Sequence, residues 1–295
     1  NFKNLDNKIK KVAELLAKSK KPILHLGQGV KISKGQKYLR KIINRYKIPF
    51  ALTWNASDLI ESSHPSYIGR PGAFAERGTN FIIQNCDFHL SVGTRLPFMV
   101  TGYNASDFAR NAMKVMVDID HKELEKSNTK PNKIISCDAK YFLKTLLKFL
   151  PKKTNISKDW LLYCKKVRGK YPIVLDKFRK QKKYLNSYEF VDNLSDVLKK
   201  NEVIVTDMGL SFVGTHQAFK IKKGQKLFTN SGHAPMGWGL PAAIGAYYAS
   251  KNKRIICLVG EGGLQMNIQE FATIMHNKLP IKTFIYNNGG YLTIK

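Results

Sequence analysis

The sequence predicts an α/β protein with two doubly wound domains, each built on a parallel sheet. Short runs rich in β-branched residues, such as residues 254–259 and 281–286, are apolar enough to form buried parallel strands. Between these runs lie stretches whose apolar residues recur at helical spacing, and this alternation is typical of doubly wound sheets. Glycine-rich turns follow several predicted strands, as at residues 27–29 and 260–263, and open α/β sheets bind ligands at such turns.

Residues 1–150 are predicted to form the first, Rossmann-like domain. Apolar residues at helical spacing predict a leading helix over residues 5–18, and a strand then runs from residue 22 to the glycine turn at 27–29. This turn lacks the third glycine of a dinucleotide fingerprint, so it is weak evidence for NAD. The remaining predicted elements are helices near 34–46 and 74–85 and strands at 48–53, 87–93, 114–120 and 133–138.

Residues 151–186 are predicted to be a basic helical linker, whose lysines and arginines would lie on a solvated helix face. The second domain is predicted to span residues 187–295. Its predicted elements are a helix over 187–199, strands at 202–207 and 226–229, a turn at 208–211 that opens a helix, a glycine-punctuated helix within 235–250, and strands at 254–259 and 281–286 on either side of a helical segment.

The formal net charge of +29 raises the question of an anionic partner such as nucleic acid. The lysines are spread over every segment, often in pairs such as Lys10 and Lys11, without interleaved aromatic residues or a nucleic-acid-binding motif. Replacement of surface polar residues by lysine accounts for this scatter, so nucleic acid is not expected as a partner. The charge would still attract anionic substrates.

The cysteines and the hydropathy pattern indicate a cytoplasmic protein. The four cysteines, Cys86, Cys137, Cys164 and Cys257, are too far apart for a Cys-x-x-Cys metal site, and free thiols suit a reducing compartment. No apolar run is long enough to cross a bilayer, and the first residues lack the features of a signal peptide. Neither a membrane span nor secretion is therefore expected.

The densest group of functional signals lies between residues 260 and 288. Glu261 stands in a glycine turn directly after one predicted strand, and Asn287 and Asn288 directly follow the next strand. Because parallel strands end at the same edge of a sheet, the acid and the amides should lie together. Their oxygens suit a hard divalent cation, and backbone N–H groups at the turn suit phosphate.

These motifs resemble those of the thiamine diphosphate-dependent enzymes and, within that family, of the acetolactate synthase-like group. The family has Gly-Asp-Gly followed by Asn-Asn at a similar spacing, and here the acid and the second Asn are 27 residues apart (288 − 261). Upstream, residues 236–243 are close to that group's Met-Gly-aromatic-Gly-Leu-Pro-Ala-Ala stretch. Two ordered motifs at the expected separation make the resemblance specific.

The resemblance implies a Mg²⁺ site made by the Glu261 carboxylate, the Asn288 side chain and the Gly290 backbone carbonyl. Phosphate oxygens and water would complete an octahedron around these hard oxygen ligands. The family usually has Asp where this chain has Glu261, whose carboxylate reaches one methylene further, and Mg²⁺ tolerates distorted geometry poorly. A solvated Glu in a glycine turn is the alternative interpretation.

The resemblance also assigns a set of residues to thiamine diphosphate. Met236 matches the bulky residue that props the cofactor in its bent form, and its N–H and the Ala234 carbonyl would bind the pyrimidine. A gap-filling core methionine is the alternative. Acetolactate synthases tend to have Gln-His where this chain has Leu210 and Ser211, a departure that leaves the particular reaction open. The predicted set is Gly209, Leu210, Ser211, Ala234, Met236, Gly260, Gly262 and Gly263.

By the same resemblance, the first domain is similar to the family's central domain, which often carries FAD. Arg95, in a Gly-x-Arg sequence, would contact the flavin nucleotide, and Asp118 and Asp138 end strands where they could serve it. The family's next stretch, Asp-Asp-Arg, is Pro-Phe-Met at residues 97–99 here, so FAD is one of two alternatives. In the other, Arg95 is a surface cation and the two aspartates are helix caps.

The implied activity is thiamine diphosphate- and Mg²⁺-dependent decarboxylation and carboligation of 2-oxo acids, as in the conversion of pyruvate to acetolactate. Two alternatives stay open: another 2-oxo acid decarboxylase or lyase of the family, and a catalytically inactive module that binds an anionic partner. In the family, the activating glutamate lies on a preceding pyrimidine-binding domain, usually of a partner subunit, so no catalytic residue is assigned. We expect a homodimer or homotetramer for the intact protein, and an inactive fragment truncated at both ends for this chain.

Overall fold

The computed structural model describes residues 2–251, 253–291 and 294, which form two compact units. The first comprises the described residues up to Leu59 together with His64–Pro172, and the second comprises Ile60–Ser63 and the described residues from Ile173 onward. Each unit has its own sheet, and every strand pairing in both sheets is parallel. The predicted fold class, α/β with two parallel-sheet units, is confirmed.

The first unit is organised around a six-stranded sheet in its described residues. In chain order the strands are Pro22–Leu26 (β1), Phe50–Leu52 (β2), Tyr67–Gly69 (β3), Phe88–Val92 (β4), Met113–Asp118 (β5) and Lys133–Ser136 (β6). Their spatial order is β3-β2-β1-β4-β5-β6, so the winding direction reverses between β1 and β4. Every residue of β1 and β4 is buried, as expected for central strands of a doubly wound sheet.

Two groups of helices pack on this sheet. The helices are Phe2–Lys18 (α1), Gln28–Ile32 (α2), Gln36–Tyr46 (α3), Arg77–Gln84 (α4), Phe98–Thr101 (α5), His121–Glu125 (α6), Ala139–Phe149 (α7) and Lys158–Lys170 (α8). Both α1 and α3 contact α7, whereas α4 contacts α8. α8 lies in the range predicted as a linker, and it carries Trp160 and Cys164 into the core of the first unit.

The sequence pattern does not predict β3, which lies at one edge of the sheet. This strand is only three residues long and ends at Gly69, whose φ is +110°. A run this short shows no period, and the glycine- and proline-containing stretch after it predicts a loop. Pairing with β2 and burial of Tyr67 and Ile68 define the strand instead.

The second unit has a four-stranded sheet in its described residues. Its elements are Asp176–Arg179 (α9), Ser187–Val197 (α10), Val203–Thr206 (β7), Leu210–Ala218 (α11), Lys226–Phe228 (β8), Gly239–Ala249 (α12), Ile255–Gly260 (β9), Glu261–Gln265 (α13), Glu270–His276 (α14) and Ile281–Tyr286 (β10). The spatial order β10-β9-β7-β8 reverses the winding direction between β7 and β9.

The helical segment between β9 and β10 consists of two short helices, α13 and α14, with turns between them. The interruption begins at Met266. In the turn that follows, the Asn267 side chain donates to the carbonyl of Gly237. In the part of the chain that the structure describes, none of the helices combines the length and the apolar character needed to cross a membrane.

The side chains of β7 point alternately to the two faces of the sheet and belong to two separate core clusters of the second unit. Ile204 belongs to a cluster with α10 and α11 residues, whereas Val203 and Val205 belong to a cluster with residues of α12. Because successive strand residues point to opposite faces, a run of β-branched residues packs against helices on both sides. This burial fixes where β7 ends and therefore where the following turn begins.

Two buried histidines face each other across β1 and β4 of the first unit. Nδ1 of His25 lies 3.2 Å from Nε2 of His89, and the Phe108 ring packs edge-on against His89. Burial lowers the pKa of His25 to about 3. Burial, with smaller contributions from His25 and Lys114, also holds the pKa of His89 well below its usual value. The pair is therefore neutral, with one imidazole donating to the other.

We expect this pair to make the protein acid-sensitive, so that the free energy of unfolding falls as the pH drops from 7 to 5. Above about pH 6.5 both imidazoles are neutral in the folded and the unfolded chain. Below that pH the unfolded chain takes up protons, whereas burial keeps His25 neutral down to about pH 3. Proton linkage then costs about 2 kcal/mol per histidine at pH 5. Urea unfolding followed by tryptophan fluorescence at several pH values measures this slope.

The variant His25→Gln should flatten the slope, because glutamine can still hydrogen-bond to His89 but does not titrate. His121→Gln, which replaces an exposed histidine of the same unit, is the matched control and should leave the slope unchanged. Equal slopes for His25→Gln and the wild-type protein would show that the pair does not carry the acid sensitivity.

Candidate functional site

The predicted site residues of the second unit gather at the carboxyl ends of β7, β9 and β10. Gly209 follows β7, Glu261 follows β9, and Asn288 follows β10. β7 and β9 are the neighbours between which the winding direction reverses. Open α/β sheets form a crevice at such a switch point, because the connections on either side run to opposite faces.

The Glu261 carboxylate is held by the backbone of the turn after β10. Its Oε1 accepts hydrogen bonds from the backbone N–H of Asn288 at 3.2 Å and of Gly290 at 3.0 Å. Burial raises the pKa of Glu261, but the N–H donors of the two turns outweigh it, so that the net pKa lies below its usual value. Glu261 is therefore an anion whose position is fixed relative to Asn288 and Gly290.

The side-chain amide of Asn288 lies beside this carboxylate. Its nitrogen donates to Glu261 Oε1 at 3.1 Å and to the carbonyl oxygen of Gly290 at 2.5 Å. One amide therefore joins the carboxylate that follows β9 to the backbone of the turn after β10. Turned over, the same amide would present its oxygen to a cation held by Glu261 and Gly290.

These oxygens fit a hard divalent cation that receives its remaining ligands from a bound molecule. Across residues 2–251, 253–291 and 294, no group of three or more His, Cys, Asp or Glu side chains could hold a metal ion. A cation at Glu261 would have one carboxylate, one amide oxygen and one carbonyl oxygen. Mg²⁺ commonly keeps such a small protein ligand set, with phosphate oxygens and water in the other positions.

The glycines of the turns are required by close packing. A Cβ on Gly263 would lie 1.9 Å from Oδ2 of Asp207, and a Cβ on Gly262 would lie 2.4 Å from the Tyr291 ring. Gly209 has a φ of +73°, a conformation that favours glycine because it has no Cβ. By contrast, nothing lies within 4 Å of a Cβ built on Gly260. The turns can therefore bring backbone N–H groups close to a ligand.

Leu210 and Ser211, at the start of α11, differ in the groups that they can present to a ligand. The Ser211 side chain is buried, and its hydroxyl donates to the Met208 carbonyl at 3.0 Å, so only its backbone N–H is available to a ligand. Leu210 lines a cavity of about 470 Å³. Apolar and aromatic side chains contribute most of the lining, among them Tyr184, Leu185, Phe190, Phe284 and Tyr286.

Asp207, at the end of β7, is a buried carboxylate that sequence reasoning did not assign to the site. It is 1% exposed, and its two oxygens accept backbone N–H groups of Gly237 at 3.2 Å and Gly239 at 3.1 Å. Burial holds the pKa of Asp207 above its usual value, although these N–H groups act in the opposite direction. The carboxylate caps α12, since Trp238 at the N-cap position supplies no side-chain hydrogen bond.

Ala234 and Met236 lie on the turn that leads into α12. Ala234 is exposed with a φ of +52°, and its N–H donates to Asn230. Met236 is half-buried and does not belong to the buried core. Its neighbour Gly237, with a φ of +83°, accepts a hydrogen bond on its carbonyl from the Asn267 amide at 2.7 Å. The turn is thus anchored just after Met236.

The residues predicted to serve FAD lie at the carboxyl ends of β4, β5 and β6 of the first unit, and each has a protein partner. Arg95 is 69% exposed and pairs with Glu123 at 3.1 Å. Asp118 accepts the Asp120 N–H at 3.1 Å. Asp138 caps α7 by accepting the Tyr141 N–H at 2.9 Å. Arg95 thus forms a surface ion pair and Asp138 a helix cap, whereas Asp118 forms a turn before α6, whose N-cap is Asp120. The two carboxylates and the exposed guanidinium keep further hydrogen-bonding positions, so their assignment to FAD stays a prediction.

Two of the residues that organise this site differ in how well the sequence signals them. Asp207 follows a β-branched run and precedes a glycine turn, the same pattern that singles out Glu261. The pattern of a strand followed by an acid and a glycine turn is therefore sufficient to predict Asp207 as a site residue. Asn267 lies in an interrupted helical stretch with no periodic or charged signal of its own. Only the folded position of Asn267 reveals its contact with Gly237.

Comparison with known protein families identifies both units. Residues 9–146 match the family described as thiamine pyrophosphate enzyme, central domain, and residues 207–295 match the thiamine pyrophosphate enzyme, C-terminal TPP binding domain. Thiamine pyrophosphate is another name for thiamine diphosphate. The chain belongs to the thiamine pyrophosphate enzyme family and contains its central and TPP binding domains.

Individual relatives are named acetolactate synthase large subunit. The chain is 35% identical over 285 residues to the protein of that name from Cyanidium caldarium, covering 95% of this chain and 48% of that protein. It is 29% identical to the isozyme 1 large subunit of Escherichia coli (strain K12), covering 96% and 49%. It is 30% identical to the large subunit from Lactococcus lactis, covering 97% and 49%. The chain thus spans about half the length of these relatives.

We expect Gly263→Ala to destabilise the second unit, because its methyl group would overlap Asp207 Oδ2 in a place where backbone and side chain are both fixed. Overpacking of this kind costs about 1–3 kcal/mol. Gly260→Ala, three residues earlier, places its methyl group in open space and should change stability by less than about 0.5 kcal/mol. Urea unfolding of both variants without cofactor compares them. Equal stability would contradict the tight packing between the two turns.

Proposed function

We propose that this chain is part of an acetolactate synthase-like enzyme, which decarboxylates a 2-oxo acid and joins the remaining fragment to a second carbonyl compound. The observation that carries the proposal is the contact of the Asn288 amide with the Glu261 carboxylate and the Gly290 carbonyl, beside the glycine turns of a TPP binding domain. Thiamine diphosphate and Mg²⁺ are the cofactors of the proposed reaction. The names of the relatives support acetolactate formation.

The metal end of the proposed site is formed by the turns after β9 and β10. Glu261, Asn288 and the Gly290 carbonyl would hold Mg²⁺, which would neutralise the negative charge of the diphosphate. The backbone of Gly262 and Gly263 and the N–H groups at the start of α11 would meet phosphate oxygens. The Ser211 hydroxyl is excluded from this role, because it already donates to a backbone carbonyl.

The other end of the proposed site is formed by the turn before α12. Met236 would support the pyrimidine side of the cofactor, with its own N–H and the Ala234 carbonyl as hydrogen-bonding groups. When bound, thiamine diphosphate supplies an electron sink that makes loss of CO₂ from a 2-oxo acid feasible. The residues of this chain bind and orient it, and the proton transfers at its reactive carbon are assigned to none of them.

The proposed enzyme is a homodimer or homotetramer in a reducing cytoplasm. Apolar side chains of the second unit support association, since Tyr248, Met266, Ile268 and Met275 are 53–77% exposed. Contacts between copies would remove such side chains from water. The free state of all four cysteines is in keeping with a reducing compartment.

A second candidate is another 2-oxo acid decarboxylase or lyase of the same family. Leu210 favours it, because this residue replaces a polar one of the acetolactate synthases and lines a cavity with aromatic neighbours. An apolar wall at this place would suit a substrate with a larger apolar group than pyruvate. FAD stays a prediction for either candidate, with Arg95, Asp118 and Asp138 as the residues proposed to serve it.

We expect Glu261→Ala to weaken Mg²⁺-dependent binding of thiamine diphosphate by at least about 100-fold, because the only carboxylate of the proposed metal site is lost. Isothermal titration calorimetry of the complete protein, with and without Mg²⁺, measures the affinity. Glu125→Ala, which removes a glutamate that is 62% exposed in the first unit, is the control and should bind normally. Unchanged affinity in Glu261→Ala would rule out the metal assignment. Glu261→Asp restores the family's usual residue and should bind at least as tightly as the wild-type protein.

The complete protein encoded by the gene should convert pyruvate to acetolactate and CO₂ when thiamine diphosphate and Mg²⁺ are present. Both products are measured together, because CO₂ without acetolactate indicates a decarboxylase. If the cofactor binds but neither product forms from pyruvate, the second candidate is favoured, and larger apolar 2-oxo acids become the substrates to assay.

A further inference from the structure

Gly237, the residue that follows Met236, is held on both sides by side chains from elements distant in the chain. Asp207 Oδ2, at the end of β7, accepts the N–H of Gly237 at 3.2 Å. Asn267, in the turn between α13 and α14, donates through Nδ2 to the carbonyl of Gly237 at 2.7 Å. A Cβ on Gly237 would meet Asn267 Nδ2 at 2.8 Å, so the two groups are in close contact. Both polar groups of Gly237 are therefore engaged by side chains.

The segment before Gly237 lies at the surface, and within it the Ala234 N–H donates to the Asn230 carbonyl at 2.8 Å. Residues 232–235 are exposed, and the segment forms turns without a regular helix. Ala234 and Gly237, on either side of Met236, both have positive φ angles, of +52° and +83°. A solvent-exposed turn of this kind samples several conformations unless side chains fix its ends.

We propose that Asp207 and Asn267 are positioning residues, which fix the backbone of Met236 so that it can receive the pyrimidine end of thiamine diphosphate. This inference rests on the proposed function, and it adds two residues that touch neither the metal nor the diphosphate in that proposal. Asp207 accepts from the peptide group before the Gly237 Cα and Asn267 donates to the peptide group after it, so together they fix the orientation of both peptide groups that flank Gly237. Replacing Asn267 by Asp exchanges the donor for an acceptor at nearly constant side-chain size, so that repulsion replaces the hydrogen bond to Gly237.

Two ligands that engage different parts of the proposed site test the inference. Inorganic diphosphate with Mg²⁺ engages only the Glu261 end of the proposed site, whereas thiamine diphosphate with Mg²⁺ also engages the turn that carries Met236. A defect confined to that turn should weaken binding of the second ligand and spare the first. Loss of the whole site, as in Glu261→Ala, should weaken both.

The decisive variant is Asn267→Asp, which places a carboxylate oxygen opposite the Gly237 carbonyl. We expect the affinity of the complete protein for thiamine diphosphate to fall about 10- to 100-fold, as for a hydrogen bond replaced by repulsion, with diphosphate affinity changed by less than about threefold. Calorimetry with each ligand in the presence of Mg²⁺ measures both. Asn277→Asp is the matched control, since Asn277 is exposed and its amide donates to the Thr273 carbonyl at the end of the same helix.

Two further variants guard against misfolding. Asn267→Ala removes the donor without adding charge and should show a smaller loss with the same ligand pattern. Asp207→Asn replaces one of the two acceptor oxygens by a donor, so at least one of the N–H groups of Gly237 and Gly239 loses its acceptor. Circular dichroism and unfolding without ligand establish that each variant is folded before its affinity is compared.

The outcomes separate this inference from the proposed function. If Asn267→Asp and Asn267→Ala weaken the binding of thiamine diphosphate and of diphosphate equally, Asp207 and Asn267 have only a general structural role. That result would overturn the inference. Unchanged thiamine diphosphate affinity in these folded variants would overturn it as well. If the wild-type protein binds neither ligand, the proposed function fails and the inference falls with it. Weaker thiamine diphosphate binding with intact diphosphate binding is the result expected.

Discussion

The carboxylate of Asp207 is the interaction on which the site region of the second unit depends. It stands at the end of β7, accepts two N–H groups at the start of α12, and leaves room beside it only for a glycine at position 263. Burying a carboxylate is costly unless hydrogen bonds compensate, and here the positive end of a helix supplies them. One side chain thereby fixes a strand end, a helix start and a glycine turn relative to one another.

At the proposed metal end of the site, backbone groups contribute as much as side chains. Glu261 is oriented by N–H donors of the turn after β10, and the Asn288 amide donates to the same carboxylate. The turn after β10 thus holds a carboxylate that is one methylene longer than the family's usual Asp. The parallel pairing of β9 with β10 brings the two turns together.

Most of the fold was predictable from the sequence, because β-branched runs and helical periodicity reflect burial directly. The strand from Ile281 to Tyr286 has the predicted bounds. The sequence did not predict β3, because this strand is defined by its pairing with β2 and not by a pattern of its own residues. In the site, Glu261 and Asn288 were marked by motif spacing. Asn267 could not be, since its contact depends on where the helical segment breaks, and no local sequence signal sets that break.

The parallel topology also governs when the site can exist during folding. Its polar groups come from strand ends as far apart as Asp207 and Asn288, which are 81 residues apart along the chain (288 − 207). Contacts between such distant residues carry a large loop-closure entropy, and folds dominated by them assemble slowly. The Gly237 turn cannot be anchored before β7 and the segment after β9 have met. A nascent chain therefore forms the candidate site late in folding. A ligand that requires the Gly237 turn binds only molecules whose second sheet is already assembled.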